Sequence, residues 1–291
     1  MPPKSRLGQN FLVDQQAIRH IVAAAGDCSN RTVIEIGPGK GAITRELAAR
    51  AEHLVALEVD PELAARLSST FDPAAAGQTG SRSNVRIETI DVLSFDFAAA
   101  AADTGKRLVV VGNLPYYITS PILLKLAEDC KALDRAVLMV QREVADRVTA
   151  APGSRDYGLL TVTVQLHGPV ERLFTLPPRA FSPSPEVHST VFRWRFAPRF
   201  QELDVDRDRF LSFLRQVFAL KRKTLANNLK AAGFGAATIT SVLHSSGIDE
   251  KARAEALSVE TLAALWRSLK NEGATPQSEM APSIRDFKNQ R

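Results

Sequence analysis

The chain contains 291 residues, of which 45% are hydrophobic and 24% are charged, and its formal net charge at pH 7 is +5. This length suits one large domain with a smaller one, and the composition is that of an ordinary globular protein. No run approaches the roughly 18 apolar residues of a membrane span, and the start, MPPKSRLGQNFLVD, lacks a signal-peptide core. Cys28 and Cys130 show no metal-binding spacing, so we expect a reduced cytoplasmic protein without a metal or a membrane partner.

Between residues 31 and 196, apolar runs alternate with segments of helical periodicity, which is typical of βαβ units around a parallel sheet. Strands are predicted at 32–37, 53–60, 84–91, 107–113 and 135–141. Helices are predicted at 42–50, 61–71 and 120–129. Two later strands are predicted at 159–168 and 187–196, and the alternation in the last one indicates antiparallel pairing. Segment 72–83, DPAAAGQTGSRS, is predicted to be a flexible loop.

After Phe196 the pattern changes to a linker and then to helices from Arg207 to Asn271. Gly233 and Gly247 are suitable helix ends, and Ser258 is a suitable N-cap of the last helix. Several apolar residues at helical spacing are predicted to form the core of this small domain: Phe210, Phe213, Leu214, Val217 and Phe218.

The positive charge is concentrated in the helical region. Residues 1–204 hold 23 basic and 23 acidic side chains, whereas residues 205–272 hold 11 basic and 7 acidic ones. A basic stripe from Arg209 to Lys230 contains no acid, which suits a phosphate backbone, although a solvated helix face explains it almost as well. The predicted division is into a catalytic α/β domain, a helical domain and a disordered tail, at 1–200, 201–272 and 273–291.

A glycine-rich turn follows the first strand of the predicted sheet. Gly37, Gly39 and Gly41 leave room for the close approach of a nucleotide-like cofactor, because no Cβ intrudes there. Glu58 ends the second strand, where a carboxylate can bind ribose hydroxyls, and Asp91 ends the third, where one can accept from an adenine amine. The pattern fits both dinucleotide and S-adenosylmethionine enzymes, and a purely structural turn is a further alternative.

The fourth predicted strand ends at Asn113, and Leu114, Pro115 and Tyr116 follow it. The exocyclic amine of adenine is a poor nucleophile because its lone pair is conjugated into the ring. Two acceptors for its protons, the Asn113 amide oxygen and a backbone carbonyl beside Pro115, would free that lone pair. Tyr116 offers a flat face for stacking a flipped-out base. Turn chemistry alone is the competing explanation for these four residues.

These motifs resemble the rRNA adenine dimethyltransferase family, closest to its bacterial small-subunit branch, over roughly residues 4–270. The resemblance rests on GQNFL, EIGPGKGAIT, EVD, DVL, NLPYYI, FSPSPEV and ALKRKTLANNL, in that order. It implies a Rossmann-like class I S-adenosylmethionine-dependent methyltransferase sheet with a small all-helical C-terminal domain. It also implies S-adenosylmethionine as donor, and as acceptors two adjacent adenines in a hairpin loop near the 3′ end of 16S rRNA, each dimethylated.

The resemblance further implies roles for individual residues. Cofactor-binding positions are Gln9, Asn10, Leu12, Gly37, Gly39, Glu58, Asp91 and Asn113. Phe181 matches the aromatic residue expected to sandwich the target base opposite Tyr116, with an ordinary apolar loop residue as the alternative. Lys221, Arg222 and Lys223 match the basic motif of the helical domain and are expected to contact rRNA. Tyr117 receives no assigned contact.

Several other functions stay open from the sequence. A 23S rRNA adenine methyltransferase of the erythromycin-resistance type would share the same core, and a DNA adenine methyltransferase is disfavoured because no target-recognition insertion is evident. A non-catalytic RNA-binding assembly factor and an NAD(P) dehydrogenase are further alternatives. For the favoured reaction we expect direct in-line methyl transfer without a covalent enzyme intermediate or a metal, by a monomer that acts on a small-subunit precursor.

Overall fold

The computed structural model describes residues 9–71 and 84–272, so the predicted loop at 72–83 and the predicted tail at 273–291 lie outside the described residues. The chain divides into two compact units. Within the described part, the sheet unit comprises residues up to 145 together with 169–196, and the helical unit comprises 146–168 together with 197–272. Segment 146–168 thus belongs to the helical unit, whereas the boundary predicted at residue 200 places it with the sheet.

The sheet unit alternates strands and helices along the first half of the chain. Its elements in this part are β1 (Phe11–Leu12), α1 (Gln15–Ala24), β2 (Thr32–Ile36), α2 (Ala42–Ala48), β3 (His53–Glu58), α3 (Pro61–Phe71), β4 (Val85–Thr89), α4 (Phe97–Thr104), β5 (Leu108–Asn113), α5 (Thr119–Glu128) and β6 (Leu133–Gln141). The later strands are β7 (Val170–Leu176), β8 (Phe181–Ser182) and β9 (Ser189–Arg195). The predicted strands up to residue 141, and the antiparallel strand near 187–196, are confirmed.

Within the described ranges, seven strands form the main sheet in the order β4-β3-β2-β5-β6-β9-β7. The first five are mutually parallel, and β9 runs antiparallel to both of its neighbours. The strand order reverses between β2 and β5, and in open α/β sheets ligands bind beyond the carboxyl ends of strands at such a point. The short strands β1 and β8 form a separate antiparallel pair.

The centre of the sheet is buried on both faces, as expected for parallel strands covered by helices. All of β2 is buried, and in β5 the three consecutive valines at 109–111 are completely buried. Gly112 pairs with Ile36, and a Cβ at Gly112 would lie 3.1 Å from the Ile36 Cβ. A glycine therefore allows β5 and β2 to stay in register up to the edge where the glycine-rich turn and Asn113 lie.

In its described part, the helical unit contains the end of α6 (Arg142–Val148) and the helices α7 (Leu159–Leu166), α8 (Arg207–Val217), α9 (Leu225–Ala231), α10 (Ala236–Ser245) and α11 (Val259–Asn271). The predicted aromatic and aliphatic core around α8 is confirmed, since these side chains are buried in one cluster. Gly233 and Gly247 follow α9 and α10 with φ of 94° and 64°, and the Ser258 Oγ caps α11 by accepting from the Thr261 N–H. No helix in the described ranges is both long and apolar enough to span a bilayer.

The strand predicted at 159–168 is wrong, because this segment forms the helix α7. Its sequence, LLTVTVQL, is rich in β-branched residues, which favour strands in isolation. In the structure the Thr161 hydroxyl accepts from the Gly158 N–H and donates to the Arg147 carbonyl, which fixes the first turn of the helix. Residues on several sides of α7 are buried in the helical unit, so tertiary packing overrides the local preference.

Candidate active site

The glycine-rich turn lies between β2 and α2 and requires glycine at each of its three positions. Gly37, Gly39 and Gly41 have φ of 67°, 57° and 78°, a region that other residues rarely adopt. A Cβ at Gly39 would lie 2.9 Å from Phe11 Cδ1, and one at Gly41 would lie 2.6 Å from Leu67 Cδ2. The turn therefore packs tightly against its surroundings while its backbone stays uncovered by side chains of its own.

Glu58, the last residue of β3, holds this turn through a hydrogen bond to its backbone. Its Oε2 accepts from the Gly39 N–H at 3.1 Å and its Oε1 accepts from the Asp60 N–H at 3.0 Å. The residue is only 3% exposed, and burial raises the pKa of its carboxyl, although the backbone donors at Asp60 and Gly39 oppose that rise. The backbone N–H groups that face this carboxyl are those of Gly39, Val59 and Asp60, so part of its acceptor capacity remains for a ligand hydroxyl.

A second carboxyl, that of Glu35 in β2, is buried nearby and was not identified from the sequence. Glu35 is 1% exposed, and its Oε2 has no hydrogen-bond partner among the described residues. Burial raises the pKa of Glu35 to about 8; the adjacent Thr44 hydroxyl partly offsets this, and the Glu58 charge adds to it. Glu35 is therefore largely protonated at neutral pH. The signal available in the sequence was one acid inside an otherwise apolar strand.

Asp91 follows β4 at the same edge of the sheet. Its Oδ1 accepts from the Leu93 N–H at 2.9 Å, which caps a short 3-10 turn at Val92–Ser94. The preceding residue, Ile90, donates its N–H to the Glu58 carbonyl at 3.0 Å and ties this loop to β3. The exposed Asp91 carboxylate thus has a fixed position with acceptor capacity to spare.

Asn113 ends β5 with its amide held in one orientation. The Asn113 Nδ2 donates to the Asn10 carbonyl at 3.1 Å, and the Oδ1 accepts no hydrogen bond from the described residues. The Leu114 N–H donates to the Met139 carbonyl at 3.0 Å, so the chain stays anchored to β6 as it leaves the sheet. Asn113 therefore keeps one acceptor atom, Oδ1, for a ligand.

The carbonyls of Leu114 and Pro115 differ in whether they already accept hydrogen bonds. The Pro115 carbonyl accepts from the Ile118 N–H at 3.2 Å and from the Thr119 hydroxyl at 3.0 Å. The Leu114 carbonyl accepts no hydrogen bond from the residues that the structure describes. The sequence predicted an acceptor beside Pro115, and the Leu114 carbonyl is the one that can serve.

Two tyrosines follow, in different environments. The Tyr116 hydroxyl lies 3.1 Å from the Ser189 Oγ, at the buried start of β9, and this hydrogen bond orients its ring. Tyr117 is 57% exposed, and the pKa of its hydroxyl is raised by burial and by the charges of Asp91 and Glu58. Both rings line the same pocket, although no contact is assigned to Tyr117 from the sequence.

One pocket brings most of the predicted site residues together. The predicted residues in its wall are Gln9, Asn10, Gly37, Gly39, Glu58, Asp91, Asn113, Leu114, Pro115 and Tyr116. Residues of the wall that the sequence did not indicate are Phe11, Ile36, Leu57, Val59, Ile90, Val92, Tyr117, Ile118 and Ile122. The pocket is thus an apolar slot with acidic and amide groups at fixed points, which suits an aromatic ring bearing a polar sugar.

The structure does not bring Leu12 and Phe181 to this pocket. They face each other in the two-stranded pair β1–β8 and belong to the core of the sheet unit, at 5% and 4% exposure. The Val13 N–H also donates to the Ala180 carbonyl, which holds the two segments together. In this conformation the Phe181 ring is therefore not available to stack on a base.

The predicted RNA-contacting residues lie in the helical unit, in the loop between α8 and α9. Lys221, Arg222 and Lys223 are all exposed. Asn228, which is only 2% exposed, holds this loop: its Oδ1 accepts from the Leu220 N–H at 3.0 Å, and its Nδ2 donates to the Leu220 and Thr224 carbonyls. A polar residue on the buried face of α9, one position before Leu229, was the sequence signal for this role.

The sequence comparisons agree with this geometry. The sequence model of the family described as ribosomal RNA adenine dimethylase matches residues 3–271. A protein from Acidobacterium capsulatum named Ribosomal RNA small subunit methyltransferase A is 57% identical over 268 residues, which covers 92% of each chain. A protein of the same name from Koribacter versatilis is 45% identical over 283 residues, which covers 92% of this chain and 94% of that one.

Solved structures share the fold. A dimethyladenosine transferase from Plasmodium falciparum gives a TM-score of 0.75 at 24% identity, covering 90% of this chain and 98% of that chain. The 23S rRNA methyltransferase ErmE gives a TM-score of 0.67 at 26% identity, covering 90% of this chain and all of that chain. The predicted methyltransferase fold class is confirmed. The chain belongs to the ribosomal RNA adenine dimethylase family.

Proposed function

We propose that this protein transfers methyl groups from S-adenosylmethionine to the exocyclic amines of two adjacent adenines in the 3′-terminal hairpin loop of 16S rRNA, dimethylating each during maturation of the small ribosomal subunit. The observation that carries the proposal is the pair of free acceptors at the end of β5, the Asn113 Oδ1 and the Leu114 carbonyl. Family membership and relatives named as small-subunit methyltransferases support it.

The pocket fits S-adenosylmethionine. Gly37 and Gly39 lie in the wall of the pocket, and a Cβ at Gly37 would meet only the Asn113 carbonyl, at 3.5 Å, so the turn presents backbone to a ligand there. Glu58 would bind the ribose hydroxyls with its remaining lone pairs, and Asp91 would accept from the adenine amine of the cofactor. Gln9 and Asn10 would close the other side of the pocket, together with the Asn113 amide. When bound, the cofactor supplies a methyl group on a cationic sulfonium.

The residues at the end of β5 would activate the target amine. Asn113 Oδ1 and the Leu114 carbonyl would each accept one N–H of that amine, which favours a pyramidal nitrogen and frees its lone pair for attack. Tyr116, with its ring oriented by Ser189, would stack on the flipped-out base. A neutral amide suffices because the amine attacks a cation before it loses a proton, which then passes to solvent. Positioning and hydrogen-bond polarisation are the enzyme's contributions.

The basic loop of the helical unit would contact the rRNA backbone. Lys221, Arg222 and Lys223 are exposed, and Asn228 fixes the loop that displays them. Neutralising the three cations should weaken rRNA binding and flatten its salt dependence by roughly 2 in log–log slope. An unchanged affinity and slope would show that this loop is only a solvated surface.

The acceptor is tested with labelled S-adenosylmethionine and three substrates: small subunits that lack the modification, large subunits that lack theirs, and duplex DNA. Label approaching four methyl groups per small subunit, confined to adjacent adenines, is the expected result. Label on the large subunit would instead favour 23S rRNA methylation, the activity for which ErmE is named. Label on DNA would indicate a DNA methyltransferase. Binding of small subunits without any transfer would indicate an assembly factor.

A further inference from the structure

A second large cleft lies at the opposite edge of the main sheet, where β2, β5 and β6 begin and the antiparallel β9 ends. Its volume is about 840 Å³, and it is lined by residues of the sheet unit. The pocket described above uses none of its residues. The cationic residues in its wall are Arg31, Lys106, Arg135, Arg193 and Arg195.

The strand register places three of these arginines on one face of the sheet. Arg135 in β6 lies directly opposite Arg195 in β9, and Arg193, two residues before Arg195, lies opposite Val137. Residues two apart on a strand share a face, so the three guanidinium groups project on the same side. Like charges directly opposite each other destabilise an antiparallel pair. The Arg135–Arg195 pair therefore carries a repulsion, which an anion bound over it would relieve.

Two of these arginines form hydrogen bonds or ion pairs with other residues of the sheet unit. The Arg135 guanidinium donates to the carbonyls of Ala25 and Asp27 and forms an ion pair with Asp134. These three contacts use one N–H on each nitrogen of the guanidinium, and they fix the floor of the cleft. Arg193 forms an ion pair with Glu171 in β7. We therefore assign Arg135 and Arg193 to the framework of the cleft.

The remaining cations are available to a ligand. Among the described residues Arg195 is exposed and forms no ion pair. Arg31 has a long hydrogen bond of 3.5 Å to the Arg107 carbonyl, and the Asp27 carboxylate is the acid whose charge acts on it. Lys106 is 39% exposed; it contacts the Asn30 side chain and lies 3.6 Å from Glu52. The Asp27 carboxylate in the same wall is already bound by the N–H and hydroxyl of Ser29. Three segments of the chain thus present cations at this cleft, and among the described residues the one on β9, Arg195, has no acidic partner.

We propose that this cleft binds the phosphate backbone of RNA through Arg31, Lys106 and Arg195, as a second anchoring surface of the sheet unit. The inference rests on the proposed function, because the RNA would belong to the same ribosomal particle that presents the target adenines. The cleft is too large to enclose a single phosphate with converging donors, whereas cations from separate segments can follow successive phosphates. A particle larger than the enzyme can engage both edges of the sheet at once.

The test compares Arg31→Gln/Arg195→Gln with a control that loses the same charge elsewhere on the sheet unit, Arg50→Gln/Arg66→Gln, both of whose residues are exposed. Unchanged S-adenosylmethionine binding by calorimetry verifies that each variant is folded. The substrates are unmodified small subunits and a short RNA hairpin that carries the two adenines. For the cleft variant, KM for small subunits should rise about 10-fold and the log–log salt slope of binding should fall by roughly 1.5, with kcat and hairpin methylation unchanged.

Equal KM and salt slope for the cleft and control variants on small subunits would overturn the proposal. A second result would also overturn the proposal: inorganic phosphate binds the wild type but not the cleft variant, while both bind small subunits equally well. The cleft would then be a site for a small anion. Failure of the proposed function itself is distinguishable: wild-type protein would then methylate neither substrate. The binding affinities and salt slopes on small subunits would still decide whether the cleft contacts RNA.

Discussion

Replacing Glu35 with glutamine should make the stability of the sheet unit less sensitive to pH. Glu35 is buried in β2, and burial raises its pKa from the ordinary value of 4.5 to about 8. Between these pH values the folded protein keeps a proton on Glu35 that the unfolded chain has released. The free energy of unfolding therefore falls as the pH rises through this range. Glutamine has no titrating proton, so Glu35→Gln lacks this dependence.

The size of the effect follows from the two pKa values. At about 1.36 kcal/mol per pH unit, the full interval corresponds to at most about 5 kcal/mol. Between pH 5 and pH 7, the wild type should lose about 2.5 kcal/mol of unfolding free energy relative to Glu35→Gln. Other titrating groups are common to the two proteins and cancel in this difference.

Urea unfolding at pH 5 and pH 7 measures this difference. The chain has two tryptophans, Trp194 in β9 and Trp266 in α11. In a Trp266→Phe background, the fluorescence of Trp194 reports on the sheet unit alone. Wild-type and Glu35→Gln stabilities that change in parallel between the two pH values would refute the assignment of a buried, protonated Glu35.

Three further substitutions test other parts of the site. Gly39→Ala should weaken S-adenosylmethionine binding by at least about 10-fold in calorimetry, since the new Cβ meets Phe11 and the positive φ is strained; wild-type affinity would contradict this. Tyr117→Ala should raise the cofactor Kd by about 10-fold and Tyr117→Phe much less, because the ring forms the wall; equal losses would assign the effect to the hydroxyl. Asn228→Leu should lower the stability of the helical unit by about 1–3 kcal/mol, because the loop loses its hydrogen bonds to Asn228. It should also weaken rRNA binding, as neutralising residues 221–223 does. Normal binding would show that the loop does not need the Asn228 side chain.

The sequence correctly places several candidate site residues at one edge of the sheet, because parallel strands bring their carboxyl ends together. Gly37, Glu58, Asp91 and Asn113 each end a strand or follow one, and they all line one pocket. The periodicity of the helices after residue 207 likewise predicts their buried faces. In both cases local patterns and the global fold agree, so the prediction needs no knowledge of tertiary contacts.

Other features depend on contacts that the local sequence does not contain. The β-branched segment 159–168 is helical because of burial in the helical unit, and Phe181 is directed into the core by its pairing with Leu12. The raised pKa of Glu35 requires knowledge of what covers β2. The juxtaposition of Arg135 and Arg195 follows from the register of two strands that are about 60 residues apart in the chain.

The most direct test of the central claim is single-turnover methyl transfer by Asn113→Ala to unmodified small subunits at saturating S-adenosylmethionine. If the Asn113 Oδ1 accepts a hydrogen bond from the target amine, the rate should fall by roughly 100-fold or more while rRNA affinity changes far less. A rate equal to that of the wild type would contradict the account and remove Asn113 from the reaction.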